Sequence, residues 1–313
     1  MNFPSPSSSE AVVAVTNLSR RFGSKTVLDD VSLYVPRGSV FGLVGENGAG
    51  KTTLIKHILG LLRAETGSVR VFGVDPVAEP VSGLGRIGYL SEQPDLPGWM
   101  RVDELMRYTQ AFYPKWDMAY AERLRGRFGL NPAARIKTLS KGQRAKAGLL
   151  AAQAHRPDLL LLDEPSSGLD PIVRRDILEA VIRTVAEEGR TVFFSSHLLE
   201  EIERVSDHIA MVHEGRLVLC GPLDEVKAQY RRFVLRFEMA QSTPPMIPGA
   251  LNISGAGKDW NIICNGARTK LAAIAANLGA RIVDEHAPSL NEIFVAHASL
   301  SSLRPVSEAE STP

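Results

Sequence analysis

Only two cysteines occur in the 313 residues, Cys220 and Cys264. They lie far apart and in no metal-type spacing, which excludes a disulfide framework and a thiolate metal site and fits a compartment where thiols stay reduced. Neither sign of charge dominates: 36 Lys and Arg stand against 35 Asp and Glu, for a formal net charge of +1. That balance supplies no field to attract nucleic acid or an anionic membrane surface, so no direct nucleic-acid partner is expected. A run of about 18 apolar residues, the minimum for a membrane-spanning helix, is missing. The long uncharged stretch from Met239 to Gly257 is broken by Pro244, Pro245 and Pro248 and cannot cross a bilayer as a helix. The opening MNFPSPSSSE has no basic cluster leading into an apolar segment. Residues 1–10 therefore read as a flexible leader and not a secretory signal, and the chain is expected in the cytoplasm.

What is present is an ordinary globular balance, 44% hydrophobic and 23% charged, at a length that suits one large and one smaller unit. Val12 to Leu18 and Val27 to Val35 alternate β-branched and polar residues around a turn at Gly23, which predicts a strand pair. Val40 to Val44 is continuously apolar, as in a strand buried on both faces, and runs into a glycine-rich loop and a helical pattern from Thr52 to Leu62. Residues 92–155 read as mainly helical; apolar strand patterns return at Leu159 to Leu162, Thr191 to Phe194 and His208 to Val212. Alternating strands and helices predict a parallel sheet. The large domain is expected over 11–230, a small α+β module over 231–300, and a disordered tail over 301–313.

Gly45-Glu46-Asn47-Gly48-Ala49-Gly50-Lys51-Thr52 fits G-x-x-x-x-G-K-[ST] between a buried strand and a helix, the setting that a phosphate-binding loop requires. Its glycines let backbone N–H groups curl around phosphate oxygens, Lys51 reaches the terminal phosphates, the Thr52 hydroxyl is the expected Mg²⁺ ligand, and Thr53 adds phosphate contacts. A mere connecting turn is the rival reading, and the placement argues against it. Leu159 to Leu162 ends in Asp163-Glu164, two carboxylates at the carboxyl edge of a parallel sheet. Asp163 is placed to hold the metal through water, and Glu164 to accept a proton from an attacking water. An isolated Asp-Glu pair would be a solvated strand end; downstream of a phosphate loop it is informative.

Leu139-Ser140-Lys141-Gly142-Gln143 precedes this strand, Ser167-Gly168-Leu169-Asp170 follows it, and His197 ends the next one. In that order, over about Val12 to Leu223, these motifs resemble the ABC ATPase family. The resemblance implies a RecA-like P-loop NTPase core of α/β class, an antiparallel β subdomain, a helical subdomain over about 92–155, and the small C-terminal α+β module beside it. It implies that Leu139 to Gln143 is the signature motif that faces ATP held by a second subunit, with Ser140 and the Gly142 N–H as phosphate donors. Lys141 departs from the family's usual glycine. It also implies that His197 is a switch histidine on the γ-phosphate, that Asp170 bridges the two subunits' sites, and that Phe22 stacks on adenine. In Ile87 to Pro94 the family places a glutamine that touches Mg²⁺; here Glu92 falls at that count and Gln93 one residue later, so either Glu92 replaces it as an oxygen ligand or the loop shifts by one.

With one phosphate loop and one signature per chain, a homodimer or related heterodimer is expected, with ATP and Mg²⁺ as cofactors and transmembrane permease subunits as partners. Trp99-Met100, Tyr113 to Asp117 and Pro288 to Phe294 look like the ATP-binding subunits of bacterial multidrug-type exporters, which implies a motor peripheral on the inner face of the cell membrane. Two other readings stand beside this one: a soluble ABC protein acting on ribosomes or DNA, which usually carries paired ATPase units or coiled-coil insertions, and a regulatory sensor without turnover, against which an intact Glu164 argues.

Overall fold

The computed structural model describes residues 11–186, 189–265 and 268–302, so the leader and most of the tail lie outside the described residues. Strands β1 (Ala11–Phe22) and β2 (Lys25–Pro36) pair antiparallel around Gly23, whose φ of +59° suits a tight turn. The five residues of β3 (Val40–Val44) are all buried, and the chain then passes through the glycine-rich loop into α1 (Lys51–Ile58). β4 (Thr66–Val71) pairs with β1 and completes a three-stranded antiparallel sheet, order β2-β1-β4. Val13, Val15, Leu33 and Val35 of this sheet share one core with Leu54, Ile55 and Ile58 of α1.

After α2 (Pro80–Leu84) and β5 (Ile87–Leu90) come the helices α3 (Val102–Gln110), α4 (Met118–Arg127) and α5 (Lys141–Gln153), where sequence patterning places a helical subdomain. β6 (Leu159–Asp163), α6 (Pro171–Ala186), β7 (Thr191–Ser196), α7 (Leu199–Val205), β8 (His208–His213) and β9 (Arg216–Pro222) follow. The strands build a six-stranded sheet in the order β5-β6-β7-β3-β8-β9, with parallel pairing from β5 through β8. Leu159 to Leu162 are each fully buried, worth roughly 2 kcal/mol apiece in burial, which explains their unbroken apolar run. The strand order matters for chemistry: β7 lies between β6 and β3, so the carboxyl ends of these three strands bring Asp163-Glu164, His197 and the phosphate loop side by side.

The chain divides after Gly221 into two compact units. Sequence patterning puts the boundary near Tyr230, whereas in the structure α8 (Leu223–Gln229) starts the second unit, with Leu223 and Val226 buried and the helix packed on the next strand. In that unit β10 (Tyr230–Gln241) is the centre of an antiparallel sheet between β11 (Ala250–Asn265) and β12 (Ala280–His286). Phe233, Leu235 and Phe237 alternate along β10 and share a core with Trp260, Ile262 and Ala275, the last on α9 (Arg268–Asn277). Helix α10 (Leu290–Ser302) runs two residues into the expected tail and is tied down by Arg232–Glu292 and by Tyr230 Oη to His297 Nε2 at 2.8 Å. The unit is the α+β module that its residue pattern predicts.

Candidate functional site

The loop from Gly45 to Thr52 takes its shape from glycines that have no substitute. Gly48 and Gly50 have φ of +85° and +108°. A Cβ on Gly45 would stand 2.4 Å from the Val212 carbonyl oxygen, and one on Gly50 would stand 2.7 Å from that of Val27. Only a bare backbone fits between β2 and β8. Lys51 opens α1 with its side chain folded back into the loop: Nζ donates to the Gly45 carbonyl at 2.6 Å and to that of Glu46 at 3.1 Å. The positive end of the α1 backbone dipole and this ammonium thus lie together at the loop.

Beside this loop, Asp163 ends β6 and accepts from Ser195 Oγ at 2.8 Å and from the Thr52 hydroxyl. Burial pushes the Asp163 pKa up, and the hydrogen bonds from Ser195 and Thr52 pull the other way. Burial, assisted by the Asp163 charge, also pushes the Tyr89 phenol up to about 12. Glu164 has the left-handed φ of +49°, a strained conformation for a side-chain-bearing residue, held by its N–H donating to Ser195 Oγ at 3.0 Å. Its two carboxylate oxygens have different partners. Oε1 lies 3.0 Å from Lys51 Nζ, and Oε2 lies 2.7 Å from His197 Nδ1 and accepts from the His197 N–H at 3.3 Å. One carboxylate therefore joins the phosphate loop to the end of β7.

Lys51, Thr52 and Glu164 border a cleft of about 380 Å³ whose walls also include Asn47, Gly48, Thr53, Lys25, Val27 and Glu92, with Asp163 and His197 behind it in contact with Thr52 and Glu164. Glu92 Oε1 accepts from Ser167 Oγ at 3.0 Å. Glu92 also borders a second cavity, of about 230 Å³, which it shares with Gln93, Lys141, Arg144 and Pro165. The structure thus brings together Gly45 to Thr53, Asp163, Glu164, His197 and Glu92, and leaves four sequence candidates elsewhere. Ser140 caps α5 in a reciprocal box: Ser140 Oγ accepts from the Gln143 N–H at 3.2 Å, and Gln143 Oε1 accepts from the Ser140 N–H at 3.1 Å. Gly142 is packed so closely on α6 that a Cβ would meet Val173 at 2.8 Å. The Asp170 carboxylate caps α6 through the N–H groups of Ile172 and Val173 at 3.1 and 3.0 Å. Phe22, at the tip of β1, is 47% exposed with the Arg20 guanidinium 4.7 Å from its ring centre, and it is not among the cleft-lining residues.

Sequence reasoning missed Ser195, which ties Asp163 to the Glu164 N–H, and the neighbouring Ser196, Ser166 and Glu201. A signal was available: Ser195-Ser196 closes an otherwise apolar strand, and hydroxyls in a strand buried on both faces must find partners.

A nucleotide triphosphate with a divalent cation fits the residues present. Lys51 is 5% exposed, so the loop already holds a desolvated cation beside its own backbone N–H groups. The Thr52 hydroxyl and Asp163 carboxylate meet as a hard oxygen pair, the donor chemistry that Mg²⁺ takes. Among the described residues there is no cluster of three or more His, Cys, Asp or Glu able to hold a metal by itself. A cation here would complete its shell with phosphate and water oxygens, as Mg²⁺ does at nucleotide sites.

Comparison with known proteins agrees with this geometry. The family model described as ABC transporter matches residues 28–167. The chain is 28% identical over 285 residues to the ABC transporter ATP-binding protein YtrB of Bacillus subtilis (strain 168), covering 91% of this chain and 97% of that protein. It is 34% identical over 226 residues to the bacitracin transport ATP-binding protein BcrA of Enterococcus faecalis, covering 72% and 73% of the two chains. A solved structure of the ATP-binding subunit of an ABC transporter superposes with a TM-score of 0.64 at 32% identity, covering 70% of this chain and 92% of that one. A phosphate loop facing an Asp-Glu strand end across a RecA-like sheet, with relatives of this likeness, places the chain in the family of ABC transporter ATP-binding proteins, ATPases whose turnover is coupled to transport.

Proposed function

We propose that this chain is the ATP-hydrolysing subunit of an exporter whose membrane-spanning part is made of separate permease chains, and that it works as a pair of subunits on the inner face of the membrane. The observation that carries the reading is the Glu164 carboxylate, held between Lys51 at 3.0 Å and His197 at 2.7 Å beside the phosphate loop. In that position Glu164 accepts the proton of an attacking water, and His197 fixes the carboxylate and faces the terminal phosphate. Gly45 to Thr53 cradle the phosphates through their N–H groups and Lys51. Thr52 and Asp163, with Glu92 from the cleft lining, would hold Mg²⁺, which when bound neutralises charge on the phosphate oxygens. Phe22, exposed at the tip of β1, is proposed for adenine.

Ser140, Gly142 and Asp170 do not border the cleft of their own chain. Their proposed role is to close the cleft of a second subunit, Ser140 and the Gly142 N–H donating at the start of α5 and Asp170 bridging the paired sites. Among the described residues no helix is long and apolar enough to cross a membrane, so a membrane role runs through a partner. The proposed dock is a groove of about 460 Å³ lined by Leu61, Leu84, Tyr89, Leu96 and Tyr113, directly after the strand that leads to Glu92. Apolar lining of this kind suits a short helix of the permease. All residues proposed for the site precede Gly221, which makes the C-terminal unit accessory. Export rests on relatives such as BcrA, whose name describes bacitracin transport. Cysteines placed between Leu96 and Val102, cross-linked in native membranes, are expected to capture a multi-span membrane protein; adducts with ribosomes or DNA alone would contradict the proposal.

A further inference from the structure

Glu201, near the start of α7, is 5% exposed and takes no part in the cleft. Its Oε2 accepts from Ser166 Oγ at 2.6 Å and from Ser196 Oγ at 2.9 Å, and its Oε1 lies 3.1 Å from Arg174 Nε. Ser166 and Ser196 are themselves buried, and Ser196 Oγ in turn accepts the Leu198 N–H at 3.0 Å. A carboxylate this deep is tolerable only when paired and hydrogen-bonded, and here one guanidinium and two hydroxyls meet that requirement.

The segments so joined are the two that carry the hydrolytic pair. Ser166 follows Glu164 by two residues, and Ser196 directly precedes His197. Ser195 already fixes the strand end by bonding Asp163 and the Glu164 N–H. Beyond that arm, the Ser167 N–H closes the turn on the Glu164 carbonyl at 3.1 Å, and Glu201 is the group that joins this turn to the backbone before His197. Charge-assisted hydrogen bonds are short and directional, and both serines donate to the same oxygen, so the distance between the two turns is set by one atom.

We infer that Glu201 is a positioning residue: through Ser166 and Ser196 it sets the spacing between Glu164 and His197 and keeps the 2.7 Å contact between them in register. Glu201 does not line the cleft and acts only through the two serines. The inference rests on the reading of Glu164 as the base in the proposed function.

Steady-state ATPase kinetics of the full chain test it. Ser166→Ala and Ser196→Ala each remove one hydroxyl and leave Glu201 its other partners, so the fold is retained. Each is expected to lower kcat by about tenfold with KM for ATP changed by less than about twofold, because misplacement of a reacting group costs rate and not ground-state binding. The double variant is expected to lose less than the product of the two, since both act through one carboxylate. Glu201→Gln, which still offers an oxygen to the serines, is expected to fall between wild type and Glu201→Ala. In protein labelled with ¹⁵N-histidine, the His197 Nδ1 signal, assigned by its loss in His197→Gln, is expected to shift in Ser196→Ala and Glu201→Ala. Variants that melt earlier but keep wild-type kcat and an unmoved His197 signal would overturn the inference. Glu164→Gln separates the two levels: normal turnover there rejects the base and the inference with it, whereas an inactive Glu164→Gln beside fully active serine variants rejects only the role of Glu201.

Discussion

Lys51 Nζ stands 3.0 Å from Glu164 Oε1, and both side chains are less than one-tenth exposed. The cation that a phosphate loop needs is therefore neutralised within the protein by the group proposed to activate water. Phosphate oxygens entering the loop must compete with this carboxylate for the ammonium. Glu164→Gln keeps the shape and removes the competing charge. ATP affinity is expected to rise by about three- to tenfold, while hydrolysis falls by at least about a hundredfold. Titration with a fluorescent ATP analogue and steady-state turnover check both. Weaker binding would show that the ion pair prepares the site and does not compete.

Lys51→Ala has the opposite effect on binding and an added effect on stability. Nucleotide affinity is expected to fall by at least about a hundredfold, because the charge on the terminal phosphates loses its partner. Glu164 would then be buried without its cation, at a cost of about 3 kcal/mol. Combining Lys51→Ala with Glu164→Gln is expected to recover the melting temperature but not the affinity. Thermal unfolding of the single and double variants checks this; no recovery would mean that the pair contributes nothing to stability.

Ser140→Ala separates a cap from a donor acting on another subunit. Loss of the reciprocal box with Gln143 is expected to destabilise the chain by about 1 kcal/mol. ATP affinity at low protein concentration should be unchanged, because Ser140 does not border its own chain's cleft. Turnover at high protein concentration should drop by at least about tenfold, the loss expected when an oriented donor at a transferring phosphate is removed. A loss of stability with full turnover would leave Ser140 a helix cap and nothing more.

For the loop after β5, Glu92→Ala is expected to impair permease-stimulated ATPase activity more than basal activity, and Gln93→Ala less so. Glu92 lines the cleft beside the phosphate loop and accepts from Ser167, whereas Gln93 lines the neighbouring cavity and not that cleft. Reconstitution with the permease in vesicles compares the two rates. The reverse ranking would favour a loop shifted by one residue.

The parts of the fold that were legible in the sequence are those where chemistry constrains every position. Gly45, Gly48 and Gly50 stand where a side chain would collide or φ is positive, so their spacing survives as a motif. Leu159 to Leu162 announce a strand covered on both faces, and the carboxylates that end it stand out for that reason. Glu201 was not legible, because Glu200, Glu201 and Glu203 look alike in sequence and only the helix phase of α7 turns Glu201 inward. Nor was the boundary of the units. Gly221-Pro222 reads as an end, but whether a short helix such as α8 belongs to the element before or after it is decided by packing. Phe22 is a contact that motif order suggests and local structure neither requires nor excludes, since a strand tip leaves its ring in solvent.

The most direct measurement is the mass of the Glu164→Gln variant in solution, by light scattering, with and without ATP and Mg²⁺. A composite site needs the cleft of one chain and the Ser140 segment of another. The variant is therefore expected at the mass of one chain without nucleotide and at twice that mass with it, holding two ATP molecules, and Ser140→Ala added to it should weaken the pairing. A single-chain mass with ATP bound, alongside wild-type protein whose turnover per chain does not depend on protein concentration, would contradict hydrolysis at paired subunits.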